Sequence, residues 1–482
     1  MKTLPSREWC AIAVLMGLPL YAATAAPSRD EVLAAMLRAT NFFSEQVAVS
    51  GGYVYYVSPD FSRRLGEGVA EATEIWVQPP GTPRIGEAYL TAWEATGNLF
   101  YRDAALAAGQ ALLYGQLESG GWRNSINFNP FGERLDLYRN DQGSKKGKNF
   151  TTLDDDITQS ALSFLIRLDA ALSFRDSKIH DAVTYALPRL YAAQYANGAF
   201  PQGWTGPVPA QPVVAAAYPT YDWRTEGRIK EYWNQYTLND GLVGTVTRTL
   251  RRAHDAYDDP EALAALVKLG DFLVLAQMPD PQPAWAQQYG PEMHPIWARA
   301  FEPPAVSGRE SEDAMITLIR LAECTKNPDL LKPVPSGVKY LEASLLPDGQ
   351  LARYYELENN KPLYMQRNGQ GYELTNDDSN LPDHYGWKNP HQLELIKTAY
   401  RAVAAGQSLE PVFAASRPDP DEVARIVAAL DDEGRWLTTS DGDPERLVGQ
   451  PKFAVGETYI SSALFADHLE YLSAYVQRSE NP

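Results

Sequence analysis

The chain has 482 residues, of which 44% are hydrophobic and 22% charged, a composition typical of globular proteins rather than of disordered or fibrous ones. Its formal net charge of −18 at pH 7 argues against nucleic acid or an anionic membrane surface as a partner. A polyanionic substrate would need a local cationic cleft or a bridging metal ion.

Residues 1–25 have the pattern of a secretory signal peptide. Lys2 and Arg7 provide the positive start, residues 10–20 are mostly apolar but too short to span a bilayer, and Ala23-Thr24-Ala25 is a small-residue cleavage site. The sequence therefore predicts a secreted or periplasmic protein with no membrane anchor. We expect residues 26–482 to form a single catalytic domain, with 411–482 as a candidate C-terminal helical extension.

Apolar residues recur at helical spacing along most of the remaining chain. This spacing predicts a helix over 30–46 and two helices over 84–117 that are separated near Gly97. Further helices are predicted over 158–174, 238–257, 260–277, 310–325, 390–405, 421–430 and 459–477. Residues 51–57, which lie between glycines and a Ser-Pro pair, are predicted to form a strand.

A turn motif recurs between these helices. Residues 116–122 and 194–200 both follow the pattern Gln-x-x-x-Gly-x-aromatic, and looser versions occur at 277–285, 347–351 and 432–436. The glycine suits the left-handed backbone that ends many helices, and the aromatic residue can fold back on the turn. The uneven spacing argues against a regular solenoid. The helices, their recurring turns and the long loops between them predict an all-α fold, an (α/α) toroid of helical hairpins whose long loops form a cleft at one end.

Two similar motifs each open a predicted helix: Thr152–Asp155 reads Thr-Leu-Asp-Asp, and Thr237–Asp240 reads Thr-Leu-Asn-Asp. Either motif alone favours a structural role, because acids at a helix start cap the helix and offset its dipole. Their duplication indicates that the two helix starts converge on one site. Three or four oxygen ligands from such positions would suit a hard cation such as Ca²⁺.

Arginines stand beside aromatic residues further along the chain. Trp285 precedes a segment that contains Arg299 and Glu302, and both Arg353 and Arg367 follow or precede tyrosines. One interpretation is structural, with an Arg299–Glu302 ion pair over a packed tryptophan and surface ion pairs elsewhere. The other is functional, because guanidinium groups beside rings suit bidentate binding of sugar carboxylates. It makes Trp285, Arg353 and Arg367 candidate substrate-binding residues.

The order of these motifs resembles that of polysaccharide lyase family 10, the pectate (pectic acid) lyases. The similar segments are Leu153–Thr158, Leu238–Asp240, Ala298–Glu302 and Ala352-Arg353 with Arg367, and the turn at 194–202 is similar too. The resemblance covers roughly residues 149–367. It implies an (α/α) toroid and a secreted enzyme that cleaves polygalacturonate by Ca²⁺-assisted anti β-elimination.

The resemblance also implies roles for individual residues. Asp154, Asp155 and Asp240 would hold Ca²⁺ against a uronate carboxylate, and Arg299 would be the base that removes the C5 proton. Arg353 and Arg367 would bind neighbouring carboxylates. Arginine is normally protonated, so it could act as a base only where nearby positive charge and desolvation disfavour its cation. We therefore predict an alkaline pH optimum.

This sequence departs from the family pattern in two places. Asp155 stands where the family often has Asn, with a further acid at Asp156, and Arg367-Asn368-Gly369 stands where Arg-Asp-Gly is expected. The extra acid could strengthen metal binding or change which oxygen binds the ion. The departures leave the substrate contacts and substrate choice open.

Three other functions are compatible with parts of the sequence. An α/α-toroid glycoside hydrolase acting on uronic-acid-containing oligosaccharides would use Asp155 and Asp240 as its paired carboxylates, without calcium. A terpenoid cyclase shares the turns and the acidic cluster but fits export poorly. A non-catalytic carbohydrate-binding protein would tolerate the loss of Arg299. The motifs together favour a monomeric polygalacturonate lyase.

Overall fold

Helices dominate the computed structural model, which describes residues 27–132, 135–369, 371–442 and 453–480. The predicted signal peptide lies outside the described residues. Within them the α-helices are α1 (Arg29–Phe42), α2 (Thr82–Thr96), α3 (Leu99–Tyr114), α4 (Ile157–Ala171), α5 (Ser177–Ala192), α6 (Leu242–Tyr257), α7 (Pro260–Leu275), α8 (Gly308–Thr325), α9 (Val334–Ala343), α10 (Leu393–Ala404), α11 (Glu410–Phe413), α12 (Pro420–Ala428) and α13 (Ser462–Glu480). In this described part of the chain, none of the helices has the length and apolar character that crossing a bilayer requires.

The strands are short and antiparallel. They are β1 (Tyr56–Val57), β2 (Arg64–Leu65), β3 (Glu74–Trp76), β4 (Ser125–Asn127), β5 (Thr151–Thr152), β6 (Gly203–Trp204), β7 (Tyr236–Thr237), β8 (Gln288–Tyr289), β9 (Val306–Ser307), β10 (Leu351–Ala352), β11 (Tyr354–Tyr355), β12 (Pro362–Asn368), β13 (Gly371–Thr375), β14 (Lys388–Asn389), β15 (Leu437–Thr439) and β16 (Thr458–Ser461). Two sheets have four strands, in the orders β15-β16-β1-β2 and β13-β12-β11-β9. The others are pairs: β3-β4, β5-β6, β7-β8 and β10-β14.

The helices form hairpins arranged around an inner layer. In this layer α2 packs on α4, α4 on α6, α6 on α8 and α8 on α10. Each of the first four inner helices returns through an outer partner, pairing α2 with α3, α4 with α5, α6 with α7 and α8 with α9. Helix α13 packs on α2 and is flanked by α1 and α12, which brings the C-terminal end of the chain back to the first hairpin. The predicted (α/α) toroid of helical hairpins is confirmed.

A glutamine in the recurring turn connects each hairpin to the next. Gln116, Gln194 and Gln277 each donate from Nε2 to a carbonyl of their own turn and to a carbonyl of the following outer helix or its start, at 2.9–3.2 Å. The acceptors in the following hairpins belong to Ala182, Ala265 and Pro333. The motif therefore links neighbouring hairpins as well as ending a helix.

The tryptophans of this turn fold back onto the helix that precedes them. The indole N–H groups of Trp122 and Trp285 donate to the carbonyls of Leu112 and Leu273, each at 2.8 Å. Trp436 makes the same kind of bond at 2.9 Å to a carbonyl ten residues earlier. Burial of a large ring whose N–H is also satisfied stabilises each hairpin end.

The C-terminal segment is joined to the N-terminal part of the chain. Strand β16 pairs with β1, and Ser462 Oγ donates to the carbonyl of Val54 at 2.5 Å. The helix predicted from residue 459 therefore begins three residues later, because residues 458–461 pair with strands on both sides. Likewise, only Tyr56–Val57 of the predicted strand 51–57 forms strand structure.

Candidate active site

Two turns with the same backbone conformation stand at the starts of neighbouring inner helices. The first acidic turn, residues 154–156, connects β5 to α4, and the second acidic turn, residues 239–241, connects β7 to α6. Asp155 has φ 46° and ψ 37°, and Asp240 has φ 52° and ψ 35°. The duplicated sequence motif is therefore also a duplicated structure.

This left-handed backbone is costly for residues other than glycine. A Cβ atom in that conformation costs roughly 1–2 kcal/mol, although Asp tolerates it better than most residues. In both turns the next residue also has a positive φ, 61° at Asp156 and 69° at Gly241. Strained non-glycine residues of this kind cluster at functional sites, where the surrounding structure holds them in place.

The two turns bring three carboxylates together. Asp154, Asp155 and Asp240 each offer an oxygen that lies within 4.8 Å of the others. Carboxylate oxygens are the ligands that Ca²⁺ prefers. The acidic cluster, defined as these three residues, is thus the group that the sequence predicted as metal ligands, and its geometry fits a hard divalent cation.

The electrostatics of the acidic cluster also fit a cation. Desolvation in the cleft, together with the carboxylates of Asp154, Asp240 and Glu67, raises the pKa of Asp155 to about 7. Burial raises the pKa of Asp240 to about 6, although Arg353 acts in the opposite direction. Clustered like charges favour either a bound proton or a cation between them.

Arg299 lies beside the acidic cluster and is held by Glu302. Its Nη2 is 2.6 Å from Glu302 Oε1, its backbone N–H donates to Oε2 at 2.9 Å, and Nη2 lies 3.9 Å from Asp240 Oδ2. Burial disfavours the cation, but the hydrogen bond and ion pair with Glu302 outweigh it and raise the pKa of Arg299. The charged groups in closest contact with Arg299 are the carboxylates of Glu302 and Asp240, which favour its cation over the neutral form that a base requires.

Arg353 contacts the second acidic turn from the protein interior. Its Nη2 donates to Asn239 Oδ1 at 3.0 Å and to Glu310 Oε1 at 2.9 Å, and it lies 3.7 Å from Asp240 Oδ1. Only 3% of its side chain is exposed. We expected Arg353 to bind substrate, but burial leaves it little surface for a polymer. In this structure it holds Asn239 and Asp240 in place.

Trp285 is also displaced from its predicted role. Its ring is 0% exposed, because it is the fold-back tryptophan of a hairpin turn. No ligand can stack on a ring that is enclosed by the core. Arg367, by contrast, is exposed on β12, with its Cζ 5.4 Å from the ring centroid of Tyr372. That ring packs on Phe301, whose centroid is 5.1 Å from Arg299 Cζ, so Arg367 lies on the rim of the same cleft.

Tyr385 is a site residue that no sequence motif predicted. Its hydroxyl donates to Glu302 Oε1 at 3.0 Å and lies 2.7 Å from the hydroxyl of Tyr354. Its ring centroid is 4.6 Å from Arg353 Cζ and 5.9 Å from Arg299 Cζ. Tyr385 therefore orients both guanidinium groups, but it belongs to a distant loop with no recognisable motif.

The N-terminal part of the chain contributes Gln78 and Glu67. Gln78 Nε2 donates to Asp155 Oδ2 at 3.0 Å and to Glu67 Oε1 at 2.9 Å. Gln78 is only 5% exposed, so its amide is held firmly against the first acidic turn. Nothing in the sequence local to residue 78 pointed to the site.

Comparisons with known proteins agree with the predicted resemblance. The family model for pectic acid lyase matches residues 116–351. The matched range contains the acidic cluster and Arg299, but it excludes Gln78, Arg353 and Arg367. A search of curated proteins found no match.

Solved structures with a similar fold include the following three. A family 10 polysaccharide lyase from Cellvibrio cellulosa is 21% identical, with 66% of this chain and 96% of that chain covered and a TM-score of 0.45. A mutant of the lyase from that organism, in complex with trigalaturonic acid, is 20% identical, with 67% and 98% covered and a TM-score of 0.43. A D-mannose isomerase is 13% identical, with 95% and 99% covered and a TM-score of 0.45.

Proposed function

We propose that this chain cleaves polygalacturonate by calcium-assisted anti β-elimination. The chain belongs to the pectic acid lyase family through residues 116–351 and is a polysaccharide lyase. One observation carries the proposal. The acidic cluster, whose carboxylate oxygens lie within 4.8 Å of one another, stands beside Arg299, whose Nη2 is 3.9 Å from Asp240. The candidate metal site and the candidate proton acceptor are thereby adjacent.

Asp154, Asp155 and Asp240 would hold the calcium ion. The fit rests on their hard oxygen donors and on the raised pKa values of Asp155 and Asp240, about 7 and about 6, which reflect burial first and the neighbouring carboxylates second. When bound, Ca²⁺ would neutralise the uronate carboxylate and make the neighbouring C5 proton more acidic. Gln78 would keep the Asp155 carboxylate turned towards the ion through its 3.0 Å hydrogen bond.

A negative protein with a negative substrate needs local positive charge. The chain carries −18 overall, so a polygalacturonate strand would be repelled except where a bound cation or arginines face it. Arg367 is exposed on the cleft rim and would meet a carboxylate of a neighbouring sugar. In this proposal Arg299 and Arg367 make the polar contacts to substrate, and the buried Arg353 positions Asp240.

The elimination would proceed as follows. The neutral guanidine of Arg299 takes the C5 proton, and the electrons of the C5–H bond form a C4–C5 double bond. The C4–O bond breaks, and the departing oxygen takes a proton from solvent to become a new hydroxyl group. Because Glu302 and Asp240 favour the cation of Arg299, only a small fraction is neutral near pH 7, and the neutral form would depend on the positive charge that a calcium ion bound beside Asp240 adds. The rate is therefore expected to rise with pH, which gives an alkaline optimum.

The family assignment favours elimination over the hydrolysis that Asp155 and Asp240 could otherwise perform. Hydrolysis would need the two carboxylates as an acid and a base or nucleophile, and it would produce no double bond. We further propose that the enzyme acts as a monomer in the periplasm or outside the cell, in keeping with the signal-peptide pattern of residues 1–25.

Ultraviolet absorbance during incubation with polygalacturonate at alkaline pH tests the proposal. We expect absorbance to rise, because the product has a new double bond conjugated with its carboxylate. The rise should stop when calcium is removed with a chelator and return when excess calcium is added. New reducing ends without a rise in absorbance would instead indicate a hydrolase, and a chelator-insensitive rise would contradict the calcium site.

Variants of Arg299 extend the same assay to the base. Arg299→Ala should lower kcat by at least about a hundredfold, the range for loss of a general base. Arg299→Lys keeps a cation for Glu302, which is 2% exposed, and so separates loss of the base from loss of the ion pair. The matched control is Arg102→Ala, which removes an arginine paired with the adjacent Asp103 on the outer helix α3. Full activity in Arg299→Ala would exclude Arg299 as the base.

A further inference from the structure

A cavity of about 470 Å³ lies between α4, α6 and α8. Five arginines line it: Arg167, Arg248, Arg251, Arg252 and Arg320. Asp255 is the single acidic residue of this lining. We call this space the arginine chamber. It adjoins a smaller cavity of about 350 Å³, and Arg251 and Arg320 line both.

The spacing of the arginines on α6 explains the charged lining. Arg248, Arg251, Arg252 and Asp255 follow the spacing i, i+3, i+4 and i+7, so they share one face of the helix. The opposite face carries the buried apolar residues of α6. The arginines remain open to water, with 43% of the Arg248 side chain and 50% of the Arg251 side chain exposed.

Three of the five arginines already have close carboxylate partners. Arg248 Nη2 contacts both carboxylate oxygens of Asp156, at 2.6 and 2.7 Å. The other two close pairs are Arg167 with Glu87 and Glu94, and Arg252 with Glu87. The cations of these three residues are therefore largely compensated within the protein.

Arg251 and Arg320 are different. Arg251 has only long contacts, 3.6 Å to Asp255 and 4.0 Å to Glu323. Within the described ranges Arg320 forms no ion pair, and its guanidinium lies over the ring of Phe413 at 4.5 Å. Two guanidinium groups on the wall shared by both cavities thus lack a close counter-ion.

The charge balance around Arg320 points the same way. Burial and the nearby cations of Arg248 and Arg251 lower the pKa of Arg320, against the weaker opposing influence of Asp313 and Glu323. The whole chain carries −18, so this positive region is local and does not follow from the overall composition. Uncompensated cations facing a water-accessible cavity attract anions.

We propose that Arg251 and Arg320, with Arg248 beside them, bind an oxyanion in the arginine chamber. The ligand chemistry is that of a carboxylate or phosphate group, because planar guanidinium groups match the oxygens of both. The chamber is opposite in charge to the acidic cluster. The two sites are adjacent, because Arg248 pairs with Asp156, the residue after Asp155.

Isothermal titration calorimetry on the metal-free protein tests this proposal. The protein is passed over a chelating resin, so that no soluble polycarboxylate chelator remains, and is titrated separately with inorganic phosphate and with galacturonate. We expect saturable binding of at least one anion, weakening as salt is added. Tighter binding of phosphate would identify a phosphate ligand, and tighter binding of galacturonate a uronate ligand. Either outcome supports the site.

Two variants and one control make the test specific. Arg251→Gln and Arg320→Gln should each weaken binding by at least about tenfold, the loss expected for one charge-assisted hydrogen bond. Arg102→Gln, on the outer surface, should leave binding unchanged. Because Arg320 also packs on Phe413, Arg320→Lys provides a second variant that keeps the charge and loses the planar fork, with an intermediate affinity expected.

The absence of saturable binding by the unaltered protein would overturn the proposal. So would equal affinity in the unaltered protein, Arg251→Gln and Arg320→Gln. If Arg320→Gln loses its native circular dichroism, the comparison of Arg251→Gln and Arg320→Lys with the unaltered protein decides the question. No metal or turnover is involved, so the result is independent of the lyase assay.

Discussion

Asp155 combines an unfavourable backbone conformation with an unfavourable charge. Its φ of 46° is costly for a residue with a Cβ atom, and its carboxylate faces those of Asp154 and Asp240. Among the described residues, Gln78 donates a hydrogen bond to this carboxylate, but its amide is neutral and adds no positive charge. Both costs are compensated if a cation binds there, because the backbone then places an oxygen that the cation needs.

This leads to a prediction about pH and calcium affinity. Asp155, with its pKa raised to about 7, is mostly protonated at pH 6 and ionised at pH 8. Calcium must displace that proton at pH 6, so its Kd should be about tenfold higher at pH 6 than at pH 8. Calcium affinity is therefore high when the pH is above the raised pKa of Asp155, and it is lost as the pH falls through that pKa. Calorimetric titration with CaCl₂ at the two pH values measures the change.

Asp155→Asn is the control for this prediction, because Asn also tolerates a left-handed backbone while removing the charge. The variant should bind calcium weakly and lose most of the pH dependence between pH 6 and 8. An equal Kd at both pH values in the unaltered protein would show that Asp155 does not compete for a proton when calcium binds.

At the scale of elements, local patterns predicted the helices well and their ends less well. Helix α7 begins at the predicted residue, Pro260, because proline is favoured at the first position of a helix. Helix α6 begins at Leu242, four residues after the predicted start, because residues 239–241 form the second acidic turn. Helix periodicity does not reveal that an acidic turn with a left-handed backbone has replaced the first helical turn.

The site was predictable where its residues lie in repeated local motifs. The acidic cluster came from a duplicated pattern, and the structure reproduces the duplication in its backbone angles. Tyr385 and Gln78 could not be predicted, because only the toroid brings their loops to the acidic turns. Trp285 was misread although a signal existed: it belongs to the recurring glutamine turn, whose tryptophan folds into the core.

The glutamine of that turn gives a prediction about hairpin docking. Gln194 donates to Gly198 at 3.0 Å and to Ala265 of the next hairpin at 2.9 Å. Gln194→Ala removes both bonds and leaves two carbonyls without their donor, so it should lower the free energy of unfolding by about 1–3 kcal/mol. Denaturant titration followed by circular dichroism measures the loss. The control is Gln142→Ala, at an exposed loop position, and an equal effect of both variants would refute the linking role of the turn.

At the scale of the whole molecule, charge is sorted by position in the toroid. The acidic cluster stands at the N-terminal ends of α4 and α6, where helix dipoles favour negative charge. The arginine chamber lies along the sides of α4, α6 and α8, C-terminal to the acidic turns. One set of inner helices thus presents an acidic surface at its start and a positive surface further along, which a single net charge of −18 conceals.

Closure of the toroid depends on aromatic contacts of the C-terminal helix. Phe465 of α13 stacks on Phe43, with ring centroids 3.9 Å apart. Its ring centroid lies 5.8 Å from that of Tyr89 of α2 and 6.0 Å from that of Trp436. It is 3% exposed and so lies in the core that joins both ends of the chain. This arrangement predicts that residues 411–482 unfold together with the rest of the domain, not as a separate extension.

Phe465→Ala tests that closure. Removing a buried phenylalanine leaves a cavity and should lower the free energy of unfolding by about 3–5 kcal/mol. The transition should stay single and should coincide when followed by circular dichroism and by tryptophan fluorescence, because one core is weakened. Phe131→Ala, at a side chain that is 91% exposed, should change stability by less than about 0.5 kcal/mol. Two separate transitions, of which only one shifts in Phe465→Ala, would instead establish the C-terminal segment as an independent unit.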